Sequence, residues 1–155
     1  PLVEASFAWA RQVLPAQPLT AGTWMLHTTW ELAVFQLEQS DIITFHSYDD
    51  AVAFDDLVAA LRERTDRPMI CTEYMARTVN SRFETHLPIM RQQRIGAINW
   101  GLVSGKTQTI FPWNSERDSP EPEVWFHDIL RPDSTPFCKA ETDFIKTITR
   151  QAGTR

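Results

Sequence analysis

The chain has 155 residues, is 43% hydrophobic and 23% charged, and carries a formal net charge of -5. That length allows one domain with a buried core. The acidic balance argues against nucleic acid as a partner, and no apolar run approaches the ~18–20 residues that span a bilayer. No signal peptide is visible. The chain opens at Pro1 without Met, which points to processing, trimming or a fragment and leaves the compartment open between cytoplasm and exterior. Cys71 and Cys138 lack metal-ligand spacing, and Cys71 sits in an apolar run as a buried, inert thiol would. Nothing in the sequence calls for a metal or cofactor.

In chain order, Val3, Phe7, Ala10 and Leu14 share a helical face, and Pro15 with Pro18 ends that helix. Leu19 to Trp24 reads as a short strand. A helix follows, with Thr28 and Glu31 as its capping box and Trp30, Ala33, Val34 and Leu37 inward. Ile42 to Phe45 is a buried strand. Phe54, Leu57, Val58 and Leu61 are spaced i, i+3, i+4, i+7, the clearest helix in the chain. Pro68 opens the strand Met69 to Thr72. The stretch 82–93 is helical, with a kink or restart expected at Pro88. Ile95 to Trp100 is a strand, and Thr107 to Phe111 is a further short candidate. Residues 114–123 form a polar, Pro-rich loop. Asp143 to Arg150 is a helix with Phe144, Ile145 and Ile148 inward.

The strands begin near 19, 42, 69 and 95, a β-α repeat. Strands apolar on both faces, alternating with helices, predict a parallel sheet covered on both sides. Four units are half of a barrel, since a full eight-unit barrel takes roughly 250 residues. The other reading is a small doubly wound domain, which typically binds a nucleotide at a Gly-rich first turn. The chain has five Gly and no such motif.

The strands instead share polar or aromatic residues at their carboxyl ends, where barrels build active sites. These are Trp24; His46, Ser47 and Tyr48; Glu73 and Tyr74; Asn99 and Trp100. Alternation points His46 and Tyr48 the same way. Read alone, Glu73 could equally be a solvent-exposed strand-end carboxylate or the partner of Arg77, and a lone His-x-Tyr is more often structural. Asn99 points away from Trp100 and reads as structural. His127 and Asp128 also read as structural, hydrogen-bonding a loop. Exposed Trp24, Trp100 and Trp113 would suit a flat sugar face.

The segments ITFHSYDD, RPMICTEYMAR and IGAINWGLVSGKTQT resemble strands six, seven and eight of clan A glycoside hydrolases. The resemblance is to the cellulase-like, family-five type that includes endoglucanases and mannanases. VWFHDILRPDSTPF resembles the segment leading into the last helix of bacterial members. The resemblance covers nearly the whole chain and rests on order and spacing. It implies an α/β fold that is half of a (β/α)8 barrel, residues 1–155 supplying units five to eight. It implies retaining hydrolysis of β-linked sugars, with Glu73 as nucleophile. His46 and Tyr48 would bind sugar hydroxyls and orient Glu73, and Trp100 would floor the subsite before the cleavage point. Such enzymes need two carboxyl groups about 5–5.5 Å apart. The family's acid/base Glu follows an Asn on strand four, and no Asn-Glu pair occurs here: Ser81, Trp100 and Ser115 follow Asn80, Asn99 and Asn114. Little turnover is therefore expected of this chain alone. The implied partners are a carbohydrate and a second half-barrel, either a missing N-terminal half or a second copy. The alternative function is a catalytically incomplete half-barrel that homodimerises and at most binds carbohydrate.

Overall fold

The computed structural model describes residues 2–23 and 31–150. Helix α1 (Leu2–Gln12) packs Phe7 edge-on against Phe35 of α2 (Glu31–Gln39), with ring centroids 5.9 Å apart. Leu14, expected on the inner face of α1, lies beyond it at φ 49° and is exposed. Ala33 and Leu37 are buried as expected, whereas Val34 is exposed. Trp24, Thr28 and Trp30 lie outside the described residues.

Strand β1 (Ile43–His46) leads into α3 (Ala51–Arg62), whose first turn is capped by the Asp50 carboxylate accepting from the Val52 and Ala53 amides. Such a cap satisfies donors that the helix leaves unpaired. All four predicted contact residues of α3 are buried. Strand β2 (Met69–Glu73), α4 (Phe83–Gln92), β3 (Ile95–Ala97) and α5 (Lys139–Arg150) complete the elements. Helix α4 runs through Pro88 without restarting. Pro88 forfeits only the N–H that would reach the Glu84 carbonyl.

The sheet is parallel, open and three-stranded in the order β1-β2-β3. The described residues hold three strands, not the expected four. Residues 19–23 run beside β1 but contribute one bridge, Thr23 to Phe45. Side chains take the ladder's place: Asp41 accepts from the Leu19 amide at 2.7 Å and Ser40 from the Ala21 amide at 3.1 Å. Strand β3 also stops early. Ile98 N–H still reaches Cys71 O at 2.9 Å, but Gly101 at φ 110° then turns the chain. Residues 107–111 form turns instead of a strand. The Thr109 and Ile110 carbonyls accept from the His127 and Phe126 amides.

The core lies between the sheet and α3, α4 and α5. Ile43, Phe45, Met69, Cys71 and Ile95 face Phe54, Leu57, Val58, Phe83 and Met90. The opposite face of the sheet is open. Gly22 and Gly96 are exposed there, and Ile98 and Trp100 are each 51% exposed.

Candidate active site

Glu73 closes β2. Strict alternation would place it with Met69 and Cys71, on the helix-covered side. The register forbids this. Phe45 pairs with Cys71, but His46 pairs with Glu73, so Thr72 is the extra residue. Such an irregularity re-aims the side chains beyond it. Glu73 therefore shares a face with His46, on the open side.

There the Tyr48 hydroxyl donates to Glu73 Oε2 at 2.9 Å, and His46 Nδ1 lies 3.4 Å from the same oxygen. Glu73 and His46 are half-buried, with side chains 24% and 31% exposed. Burial, and then the bond to Glu73, push the Tyr48 phenol well above its ordinary value. Tyr48 thus stays an O–H donor to the carboxylate. One oxygen of Glu73 is held, and Oε1 makes no hydrogen bond among the described residues.

Arg77 is not the partner of Glu73. It is 4% exposed and forms a bidentate pair with Glu141 of α5, at 2.8 and 2.7 Å. Its remaining donors reach the carbonyls of Trp125 and Asp128 at 2.9 and 3.0 Å. The Arg77 amide also donates to Phe126 O. This clamp ties residues 125–128 to the loop after β2. On that loop Met75 has φ 66°, and its carbonyl accepts from His127 Nδ1 at 2.8 Å. Asp128 accepts from Thr109 Oγ1 at 2.9 and 2.8 Å, the loop-holding role expected of it.

The sequence reading gave no part to His86, which is fully buried under the site. The Arg82 amide donates to its Nδ1, so Nε2 carries the proton and donates to Asp49 O at 3.0 Å. It fixes the loop that carries Tyr48. A histidine at mid-helix gives no sequence signal of this.

Among the tryptophans, Trp113 meets the Tyr48 ring edge-on at 5.0 Å and is 62% exposed. Trp100 lies just past β3. Among the described residues no hydrogen bond or ring contact joins it to Glu73. Cys71 is fully buried and its thiol is pushed up to about 12 by burial, as suits an inert group. Among the described residues no group of three or more His, Cys, Asp or Glu could hold a metal ion, and no helix is long and apolar enough to cross a membrane.

No protein-family model matches the chain, and no curated protein matches it. The functional reading therefore stands on the geometry and on the sequence resemblance.

Proposed function

We propose that the chain is the C-terminal half of a (β/α)8 barrel of the retaining glycoside hydrolase type, with Glu73 at the nucleophile position. The observation that carries this is the shared oxygen. Tyr48 and His46, two residues apart at the end of β1, both approach Oε2 of a carboxylate at the end of the neighbouring parallel strand. The order His-x-Tyr, then Glu, then Trp100 past β3 supports the same reading.

In the proposed reaction the Tyr48 O–H holds Oε2, and Oε1 attacks the anomeric carbon of a β-linked sugar. The bond to the leaving oxygen breaks as a glycosyl ester forms, and water then hydrolyses the ester. Protonation of the leaving oxygen belongs to a second carboxyl group. By the resemblance that group lies on strand four, supplied by another half. The proposed partners are that half and a carbohydrate, and neither nucleic acid nor membrane is among them.

A second reading is favoured by the open sheet face and by exposed Ile98 and Trp100. On this reading two copies close face to face, and the product binds carbohydrate without cleaving it. Both readings are tested by turnover of aryl β-glycosides and soluble β-glucans or mannans, with Glu73→Gln as control. The enzyme reading predicts that the chain gains activity when supplied with the missing half, and that Glu73→Gln abolishes it. Activity unchanged by Glu73→Gln would remove Glu73 from the mechanism.

A further inference from the structure

Beside Glu73 lies a histidine with one nitrogen in use. His127 is 3% exposed, and its Nδ1 sits 2.8 Å from the Met75 carbonyl. A carbonyl only accepts, so Nδ1 carries the proton. Burial pushes this histidine below its ordinary value, so the neutral ring presents Nε2 as a bare acceptor. Nε2 makes no hydrogen bond among the described residues. The sealed side-chain atom without a partner there is Asn99 Oδ1, so His127 Nε2 keeps an opening to solvent. A nearly buried ring with one unfilled acceptor facing an opening is a place for a donor from outside.

The ring is also held still. The His127 amide donates to Thr109 O, and Phe126 packs on the ring at 4.2 Å. Gly101 leaves the room: a Cβ there would come within 3.0 Å of His127 Cβ and 2.7 Å of Asp128 Oδ1. Tyr48 connects the pieces. Its hydroxyl bonds Glu73, while its ring meets Trp113 at 5.0 Å and His127 at 5.5 Å. Glu73, Tyr48, His127 and Trp113 thus form one continuous surface.

We infer that His127 and Trp113 form a sugar-contacting patch next to Glu73 that selects neutral sugars over uronates. His127 Nε2 accepts from a ring hydroxyl, and the open part of Trp113 packs on the C–H face of the same ring. A uronate is disfavoured because its carboxylate would meet an acceptor nitrogen and the Glu73 carboxylate. Arg77, which could have offset that charge, is turned away to Glu141. The inference rests on the proposed glycoside-binding site and adds its specificity.

The test uses the full chain with 15N-labelled histidine, titrated with β-linked gluco- and manno-trisaccharides and with a β-glucuronide trisaccharide. Binding is read from the imidazole resonances and from tryptophan fluorescence. The inference predicts that a neutral sugar moves the His127 Nε2 resonance and that the glucuronide does not. His127→Ala should weaken neutral-sugar binding about tenfold, near the worth of one hydrogen bond. His127→Gln, which keeps an acceptor, should lose less, and Trp113→Ala should weaken binding as well. If a neutral sugar binds without moving Nε2, and His127→Ala binds like wild type, this inference is overturned while the glycosidase reading stands. Equal binding of the glucuronide overturns the selectivity. If no sugar binds, both fall. The wild-type resonance decides the matter even if His127→Ala fails to fold.

Discussion

The two faces of the sheet are built differently. On the helix side, Phe45, Met69 and Cys71 are at most 2% exposed and sit on Phe54 and Val58, which are fully buried. On the other side, Ile98 and Trp100 are half-exposed, and the residues with reactive groups, His46 and Glu73, stand at its rim. A closed barrel fills its interior with side chains, so both faces of its sheet are core. One finished and one wet face is what a half of such a barrel would show. Stability belongs to the first face, and chemistry and assembly to the second.

The largest effect should come from the covered face. Phe54→Ala removes a fully buried ring that touches Phe45 and His86, and should cost ~3–5 kcal/mol by denaturant unfolding. A loss below about 1 kcal/mol would mean that this face is not the core. Gly101→Ala should cost less, ~1–3 kcal/mol. It places a Cβ against Asp128 in a backbone conformation that L side chains rarely adopt, and the melting temperature reads it.

The next effect depends on pH. Burial lowers His86 and His127 from the ordinary value of 6.5. The unfolded chain takes up these protons near 6.5 and the folded chain only at lower pH. Their contribution to stability is therefore complete above 6.5 and is lost as pH falls below it. Unfolding curves between neutral and mildly acid pH should show the decline, with a shallower slope in His86→Gln. A flat profile would mean that neither ring is buried neutral. The smallest effect on folding belongs to the open face. Ile98→Thr should change the stability of the isolated chain by less than about 1 kcal/mol. It should nevertheless weaken self-association or docking of a second half, measured by sedimentation. A large folding penalty there would erase the distinction between the faces.

The sequence carried some of this plainly. The i, i+3, i+4, i+7 pattern of α3 announced its buried face because one helix surface meets one core. His46 and Tyr48 were legible as neighbours through alternation. Glu73 was not: simple alternation sends it to the helix side, and the extra residue Thr72 that re-aims it leaves no mark in the sequence. Only the resemblance pointed to it. Residues 19–23 look like a strand, yet their backbone bonds go to the side chains of Ser40 and Asp41, a choice that propensity cannot see. Arg77 and His127 were misjudged for the same reason. Each is defined by partners distant in sequence, Glu141 in one case and Met75 with Tyr48 in the other. Trp113, expected as one of three exposed rings, is the one whose ring contact with Tyr48 joins it to the site.

The account turns on Glu73 as a nucleophile lacking its acid, and covalent trapping tests that most directly. A 2-deoxy-2-fluoro β-glycoside with a dinitrophenolate leaving group needs no protonation, so a lone nucleophile suffices. Glu73 Oε1 would bond to the anomeric carbon as dinitrophenolate departs. Incubation of the chain with the gluco and manno reagents, followed by peptide mass spectrometry, reads the outcome. The account predicts one glycosyl adduct on Glu73, absent in Glu73→Gln. A chain that stays unlabelled, or carries the label on another residue, would contradict it.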